Sequence, residues 1–196
     1  MICAIILAAG ESRRMGELKP LIKINGKTFL QHIAGQIRKA GIEDILVVAG
    51  FNAQKIIAES GLDSVEFVVN KYYQNGQFSS LQTGIRNLPE QCAGIIMCLG
   101  DQPQIKAEWI EQIIAAARIS NAPVVTPKFK TRRGHPIYFA ASLFREILTM
   151  APTQTAHDLI QKHQDEIVDV AIQNDAILVD ADTPQDLQKV KAYFKK

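Results

Sequence analysis

Residues 8–19 place small side chains beside three cations. Ala8, Ala9 and Gly10 carry almost no side chain, and Arg13, Arg14 and Lys19 follow them. A ligand can approach so bare a backbone closely. The N–H groups of such a turn can hold anionic oxygens, and Arg14 and Lys19 can neutralise them. That combination suits a triphosphate more than a protein partner; the plainer reading is a glycine turn bearing surface basic residues. No Gly-Lys-Ser/Thr follows, so the spacing is not that of a Walker loop. Gly10 and Gly16 are too far apart for a G-x-G-x-x-G dinucleotide fingerprint.

Other residues carry chemistry further along. Asp101 follows the apolar run Ile95–Leu99 and one glycine. A carboxylate at the end of a central strand can hold Mg²⁺, which takes one or two carboxylates plus phosphate oxygens and waters. The alternative is a turn aspartate before Pro103. Asp180 and Asp182 alternate after Ile177-Leu178-Val179, so one can face a site while the other faces away. Either can instead stabilise the start of the helix that follows. Ser79 and Ser80 can cap a helix or bond a base or ribose edge. Gly134-His135-Pro136 sets an imidazole on a stiff loop, where a structural role competes with a chemical one. His135 and His157 have no sequence-visible serine or cysteine partner, so covalent catalysis is not indicated.

These residues need a scaffold. The chain has 196 residues, enough for one domain with a substantial core. Its hydrophobic fraction is 47% and its charged fraction 21%, ordinary for a globular protein. A net charge of +2 gives no general attraction to nucleic acid or membrane, so anion binding must be local. No apolar stretch reaches transmembrane length, and Met1–Ala9 reads as a first strand rather than a signal peptide. Cys3, Cys92 and Cys98 form an odd set without C-x-x-C spacing. They read as reduced core residues of a cytoplasmic protein, not a zinc site.

Strands are expected at 3–7, 45–49, 65–69, 94–98 and 123–126, with helices between them at 28–40, 52–59, 79–87 and 106–119. Thr28 and Gln31 have the spacing of a capping box, and Gly41 that of a helix stop. The alternation argues for a mostly parallel sheet covered on both faces. In the second half, 137–139 reads as a short strand and 141–148 and 156–163 as helices. Residues 168–172 and 176–179 read as a small hairpin or return strands. A last helix starts with Thr183 as cap and Pro184 at its first position, with Leu187, Val190, Tyr193 and Phe194 on its buried face and Lys195 and Lys196 at its end. Ligands of open parallel sheets bind outside the carboxyl ends of the strands. The loops at 7–19, 70–80 and 99–103 should therefore meet.

In order along nearly the whole chain stand Leu7-Ala8-Ala9-Gly10-x-Ser12-x-Arg14-Met15-Gly16-x-x-Lys19, Gly76-x-x-Ser79-Ser80-Leu81-x-x-Gly84, Gly100-Asp101-Gln102-Pro103, Gly134-His135-Pro136 and Asp180-x-Asp182-Thr183-Pro184-x-Asp186-Leu187. In these motifs the chain resembles nucleotidyltransferases of the molybdenum-cofactor type, their cytidylyltransferases in particular. The resemblance implies a Rossmann-like three-layer αβα sandwich with a mostly parallel sheet, forming a single nucleotidyltransferase domain over 1–196. It implies a Mg²⁺-dependent enzyme that moves CMP from CTP to the phosphate of molybdopterin and releases pyrophosphate. By the same resemblance Leu7, Ala8, Ala9 and Gly10 hold the nucleotide and Arg14 and Lys19 the triphosphate. Asp101 and Asp182 hold Mg²⁺, with Arg14, Lys19 and Asp101 as the catalytic set. Ser79, Ser80 and Gly84 line the base and ribose pocket, and His135 lies toward the acceptor. A molybdoenzyme or its chaperone would be the protein partner.

Ala9 suggests CTP, because the guanylyl relatives tend to carry Leu-Ala-Gly-Gly where this chain has Leu-Ala-Ala-Gly. The chain departs from the family near 153–161. It has Thr153-Gln154-Thr155-Ala156-His157-Asp158 where many relatives carry Gly-Asp-x-Gly-Ala-Arg. That segment leaves open an acceptor such as a sugar or polyol phosphate. A non-catalytic nucleotide- or cofactor-binding carrier is the reading from another class, and it would require loss of the carboxylates or the basic residues.

Overall fold

The computed structural model describes residues 1–151 and 154–195. Pro152, Thr153 and Lys196 lie outside the described residues, and with them part of the 153–158 segment and the last expected lysine. In chain order the elements begin with β1 (Ile2–Ala8), a small hairpin of β2 (Lys23–Ile24) and β3 (Lys27–Thr28), and α1 (Phe29–Lys39). Next come β4 (Ile45–Ala49), α2 (Ala53–Glu59), β5 (Glu66–Val69), α3 (Gln77–Arg86), β6 (Gly94–Leu99) and α4 (Ala107–Ser120). The second half holds β7 (Val124–Phe129), β8 (Arg132–Arg133), β9 (Ile137–Ala140), α5 (Phe144–Thr149), α6 (Ala156–Lys162), β10 (Ile167–Ala171) and α7 (Pro184–Ala192).

The main sheet runs β10-β7-β9-β6-β1-β4-β5, with β8 paired to β7. Pairs β1–β4, β1–β6, β4–β5 and β7–β10 are parallel, whereas β9 runs antiparallel between β6 and β7. Strand β1 shows why both faces are covered. Ala4, Ile6 and Ala8 join one buried cluster with Leu30, Ile33 and Ile37 of α1 and Ile110 and Ile113 of α4. The alternate residues Cys3, Ile5 and Leu7 join a second cluster with Phe78, Leu81 and Ile85 of α3. A period of two with both sets apolar fits a strand buried on both sides. Helices on each face of a mostly parallel sheet make the expected α/β sandwich. The three cysteines are free thiols and buried.

Local sequence explains the helix starts. The Thr28 hydroxyl accepts from the Gln31 N–H, and the Gln31 side chain accepts from the Thr28 N–H. This closes two of the unpaired groups at the start of α1. Thr155 and Asp158 form the same reciprocal pair at α6. In the segment where the chain departs from its look-alikes, those two side chains serve the helix.

Three expectations need correction. Residues 176–179 form no strand; Asp175–Leu178 is a 3-10 turn, capped by the Asn174 side chain. Four apolar residues fit a strand and a buried turn equally well, and here Ala176 and Ile177 pack against Trp109 of α4. The partner expected of that strand, β10, pairs in parallel with β7 instead. Tyr193 is exposed beyond the end of α7, where its hydroxyl donates to Asp175 at 2.8 Å. Leu187 and Val190 are buried as expected.

Candidate functional site

The connection from β1 leads to β4 on one side, and β6 lies on the other side of β1. The strand order reverses there, which opens a crevice at the carboxyl ends of β1 and β6. A cleft of about 240 Å³ sits at that point. Leu7 to Gly10, Ser12, Lys19 and Pro20 line one part of it, and Leu99 to Asp101 another. Tyr73, Gly76, Gln77 and Ser80 close it from the 70–80 loop. The three loops expected to meet do meet. Gly100 is needed for this, because its N–H donates to Leu7 O at 2.9 Å and a Cβ there would lie 2.9 Å from the same oxygen.

The loop after β1 is shaped by its own short contacts. Ser12 takes the left-handed conformation at φ 54°, and its carbonyl accepts from the N–H groups of Met15 and Gly16. Its hydroxyl accepts from the Lys19 N–H at 3.2 Å. Met15 is buried with Ile22, Ile24 and Phe29 and with Leu187 and Val190 of α7. This third apolar cluster pins the first loop to the last helix. Arg14 and Lys19, on either side of that anchor, are thereby held near Asp182 at the entrance to α7.

The charged groups form one constellation. The Lys19 ammonium donates to Asp101 Oδ2 at 2.9 Å and to Asp182 Oδ1 at 2.5 Å. Arg14 donates to the other oxygen of Asp182 at 2.6 Å. Burial works against the Lys19 charge, but Asp101 and Asp182 outweigh it and raise its pKa above the ordinary lysine value. The hydrogen bond from Lys19 holds Asp182 below the usual carboxylate range. Burial, and then the neighbouring Asp101, push Asp180 upward, while the Gln102 side-chain amide donates to it at 2.7 Å. Asp182 faces the basic residues and Asp180 faces Gln102, which separates two residues that the sequence left as alternatives.

Among the described residues no group of three or more His, Cys, Asp or Glu side chains is arranged to hold a metal ion. Two hard carboxylates around one cation are nevertheless a donor set Mg²⁺ accepts when phosphates and waters complete its shell. The Lys19 ammonium already stands between those oxygens as a cation, so the residues fit the group.

Two residues expected at the base and ribose lie elsewhere. Gly84 faces the sheet, where a Cβ would come 2.9 Å from Ile5 Cδ1 and 3.2 Å from Val48 Cγ2. Its small size serves helix–sheet packing, outside the cleft lining. Ser79 is buried, accepts from the Asn70 amide and donates its one hydroxyl proton to Gly76 O at 2.7 Å, at the start of α3. Ser80 does line the cleft. His135 is half-buried, its N–H donating to Ile177 O. Burial pushes its imidazole down to about 4 against an opposing pull from Asp101, so the ring is neutral at pH 7. Gly134 allows that approach, since a Cβ there would lie 2.1 Å from Ile177 O.

Gln104 was not foreseen from the sequence. It is 5% exposed, and its amide donates to Ala176 O at 2.9 Å and Val179 O at 2.7 Å. With Gln102 and the Ala181 N–H bond to Asp101 O, it ties the loop after β6 to the segment carrying Asp182. Two glutamines flanking Pro103 were the available signal. Tyr73 and Gln77 of the lining also carried no signal beyond their place in a loop.

The family model described as the MobA-like NTP transferase domain matches residues 4–167. A probable molybdenum cofactor guanylyltransferase of Pyrococcus horikoshii is 30% identical over 149 residues, covering 75% of this chain and 73% of that protein. The nicotine blue oxidoreductase of Paenarthrobacter nicotinovorans is 29% identical over 149 residues, 72% of each chain. The crystal structure of Rv0371c from Mycobacterium tuberculosis H37Rv superposes with a TM-score of 0.87 at 25% identity, covering 97% of both chains. The chain belongs to the MobA-like NTP transferase family.

Proposed function

We propose that this member of the MobA-like NTP transferase family, acting as one nucleotidyltransferase domain over residues 1–196, moves CMP from CTP to the phosphate of molybdopterin. The products are the cytosine dinucleotide and pyrophosphate. The observation that carries the reading is the meeting of Arg14, Lys19, Asp101 and Asp182 beside a cleft floored by the bare Ala8-Ala9-Gly10 backbone.

An oxygen of the acceptor phosphate attacks the α-phosphorus, and the bond to the β-phosphate bridging oxygen breaks. The acceptor is its own nucleophile, so no protein nucleophile is required. Such transfers rest on positioning and charge neutralisation. In this reading the 8–10 backbone and Lys19 hold the triphosphate, Arg14 screens the departing pyrophosphate, and Asp101 and Asp182 hold the divalent cation. A divalent cation held by those two carboxylates would supply charge neutralisation as negative charge develops on the phosphates. Ser80 and the 73–77 loop face the base and ribose, and His135 faces the acceptor as a neutral ring.

The choice of CTP rests on Ala9, which lines the cleft and carries a methyl group that glycine lacks. Transfer of GMP from GTP is the second reading, favoured by the name of the Pyrococcus relative. Pyrophosphate release compared across the four nucleoside triphosphates, each with Mg²⁺ and molybdopterin, decides between them. CTP should lead GTP by about tenfold or more, the scale of one methyl in a pocket. A GTP lead would reverse the base assignment.

A further inference from the structure

In this structure Arg14 and Lys19, two of the three cations of the first loop, are both paired with carboxylates. Arg14 and Lys19 carry two positive charges, and Asp101 and Asp182 two negative ones. The cluster therefore offers no net positive charge to an arriving triphosphate. The Lys19 side chain is 13% exposed and lies where a cation between the two carboxylates would lie, yet the same residue lines the cleft. Its backbone is fixed through the Ser12 hydroxyl, whereas the four-carbon stem above it is flexible.

We propose that Lys19 is the resident counter-ion of a cation seat between Asp101 and Asp182, which it leaves for triphosphate oxygens when a divalent cation takes those carboxylates. The inference rests on the reading of these residues as a metal and triphosphate site and adds the exchange between them. A divalent ion bound by Asp101 and Asp182 turns a neutral cluster into one of charge about +2, with Lys19 and Arg14 released toward the cleft. Cation and triphosphate then strengthen each other's binding, and the coupling is reciprocal. The exchange also gives Lys19 effects of opposite sign. Removing it weakens triphosphate binding but removes the competitor for the seat, so the bare cation binds more tightly. A lysine that merely braced the two carboxylates would, on removal, leave the seat looser and its cation affinity lower or unchanged.

The experiment is a Mn²⁺ titration followed by the electron paramagnetic resonance signal of free Mn²⁺, without nucleotide, on the full chain and on Lys19→Met and Lys19→Gln. Both variants should bind Mn²⁺ at least about fivefold more tightly, the lower end of ordinary coupling between sites. Adding Asp101→Asn to either should abolish the gain. In the unsubstituted chain, Mg²⁺ alone should shift the Lys19 Cε resonance of ¹³C-lysine-labelled protein. Folded variants that bind Mn²⁺ no more tightly than the parent, or a Lys19 resonance unmoved by Mg²⁺, overturn the proposal. Neither readout uses nucleotide or acceptor, so the proposal stands or falls apart from the proposed reaction.

Discussion

Gln104→Met separates positioning from bulk stability. Methionine nearly matches glutamine in volume but cannot donate to Ala176 O and Val179 O. Each of those bonds contributes about 0.5–1.5 kcal/mol net, so their loss costs roughly 1–3 kcal/mol. Part of that cost is offset. Among the described residues Gln104 Oε1 is buried without a partner, and its removal relieves a desolvation penalty of about 1–3 kcal/mol. The two ranges nearly cancel, so the net change should stay within about 2 kcal/mol of the parent, a shift in melting temperature of at most about 8 °C for a chain of this length. The effect on turnover should be larger. Val179 stands three residues before Asp182, and a shift of about 1 Å in a catalytic contact can cost about 100-fold. Pyrophosphate release should drop by about that factor while the Mg²⁺ concentration for half-maximal activity rises. Turnover within threefold of the parent, in a variant whose melting temperature stays within that range, would refute a positioning role for Gln104.

Other expectations follow from single contacts. Asp101→Asn keeps the size but removes the charge that a hard cation needs, so Mg²⁺-dependent turnover should be nearly abolished; calorimetric titration with Mg²⁺ and nucleotide reads the same loss, and an unchanged isotherm would remove Asp101 from the seat. Thr28→Ala deletes a cap and the hydroxyl bond to Ser60 O, and should cost roughly 1–3 kcal/mol in denaturant unfolding without changing turnover of the folded protein. Burial works to raise the Asp169 pKa, but Arg133, Lys128 and Thr126 outweigh it and hold the group at about 2 against an ordinary 3.8. That stability is fully present above the ordinary carboxylate value and is lost as pH falls through about 2. Asp169→Asn should therefore melt below the parent at pH 7, with the two converging toward pH 2; a gap independent of pH would contradict the assignment.

Much of this fold is written in local pattern. The two apolar sets of β1 and the Thr28–Gln31 spacing each depend on residues close in sequence, and both appear as expected. Strand direction does not. The antiparallel insertion of β9 between β6 and β7 is fixed by distant partners, and Ile137–Phe139 alone carries no mark of it. The run at 176–179 misled because its apolar residues satisfy a turn packed on Trp109 as well as a strand.

At the site, residue types were legible and juxtapositions were not. Lys19 and Asp182 stand 163 positions apart, and the packing of Met15 against α7, with the Ala181 N–H bond to Asp101 O, brings them together. Gly84 misled for the opposite reason. The resemblance set it beside Ser79 and Ser80 in the base and ribose pocket. The close approach of Ile5 and Val48 instead makes the glycine a packing requirement.

The most direct test of nucleotidyl transfer follows the label from the α-phosphate. The protein is incubated with molybdopterin, Mg²⁺ and CTP carrying ³²P at either the α- or the γ-position, and the pterin product is isolated by chromatography. The account predicts α-label in a product of the mass of the cytosine dinucleotide, γ-label only in pyrophosphate, and neither without Mg²⁺. Absence of α-label from the pterin product with CTP, and likewise with GTP, ATP and UTP, would contradict it.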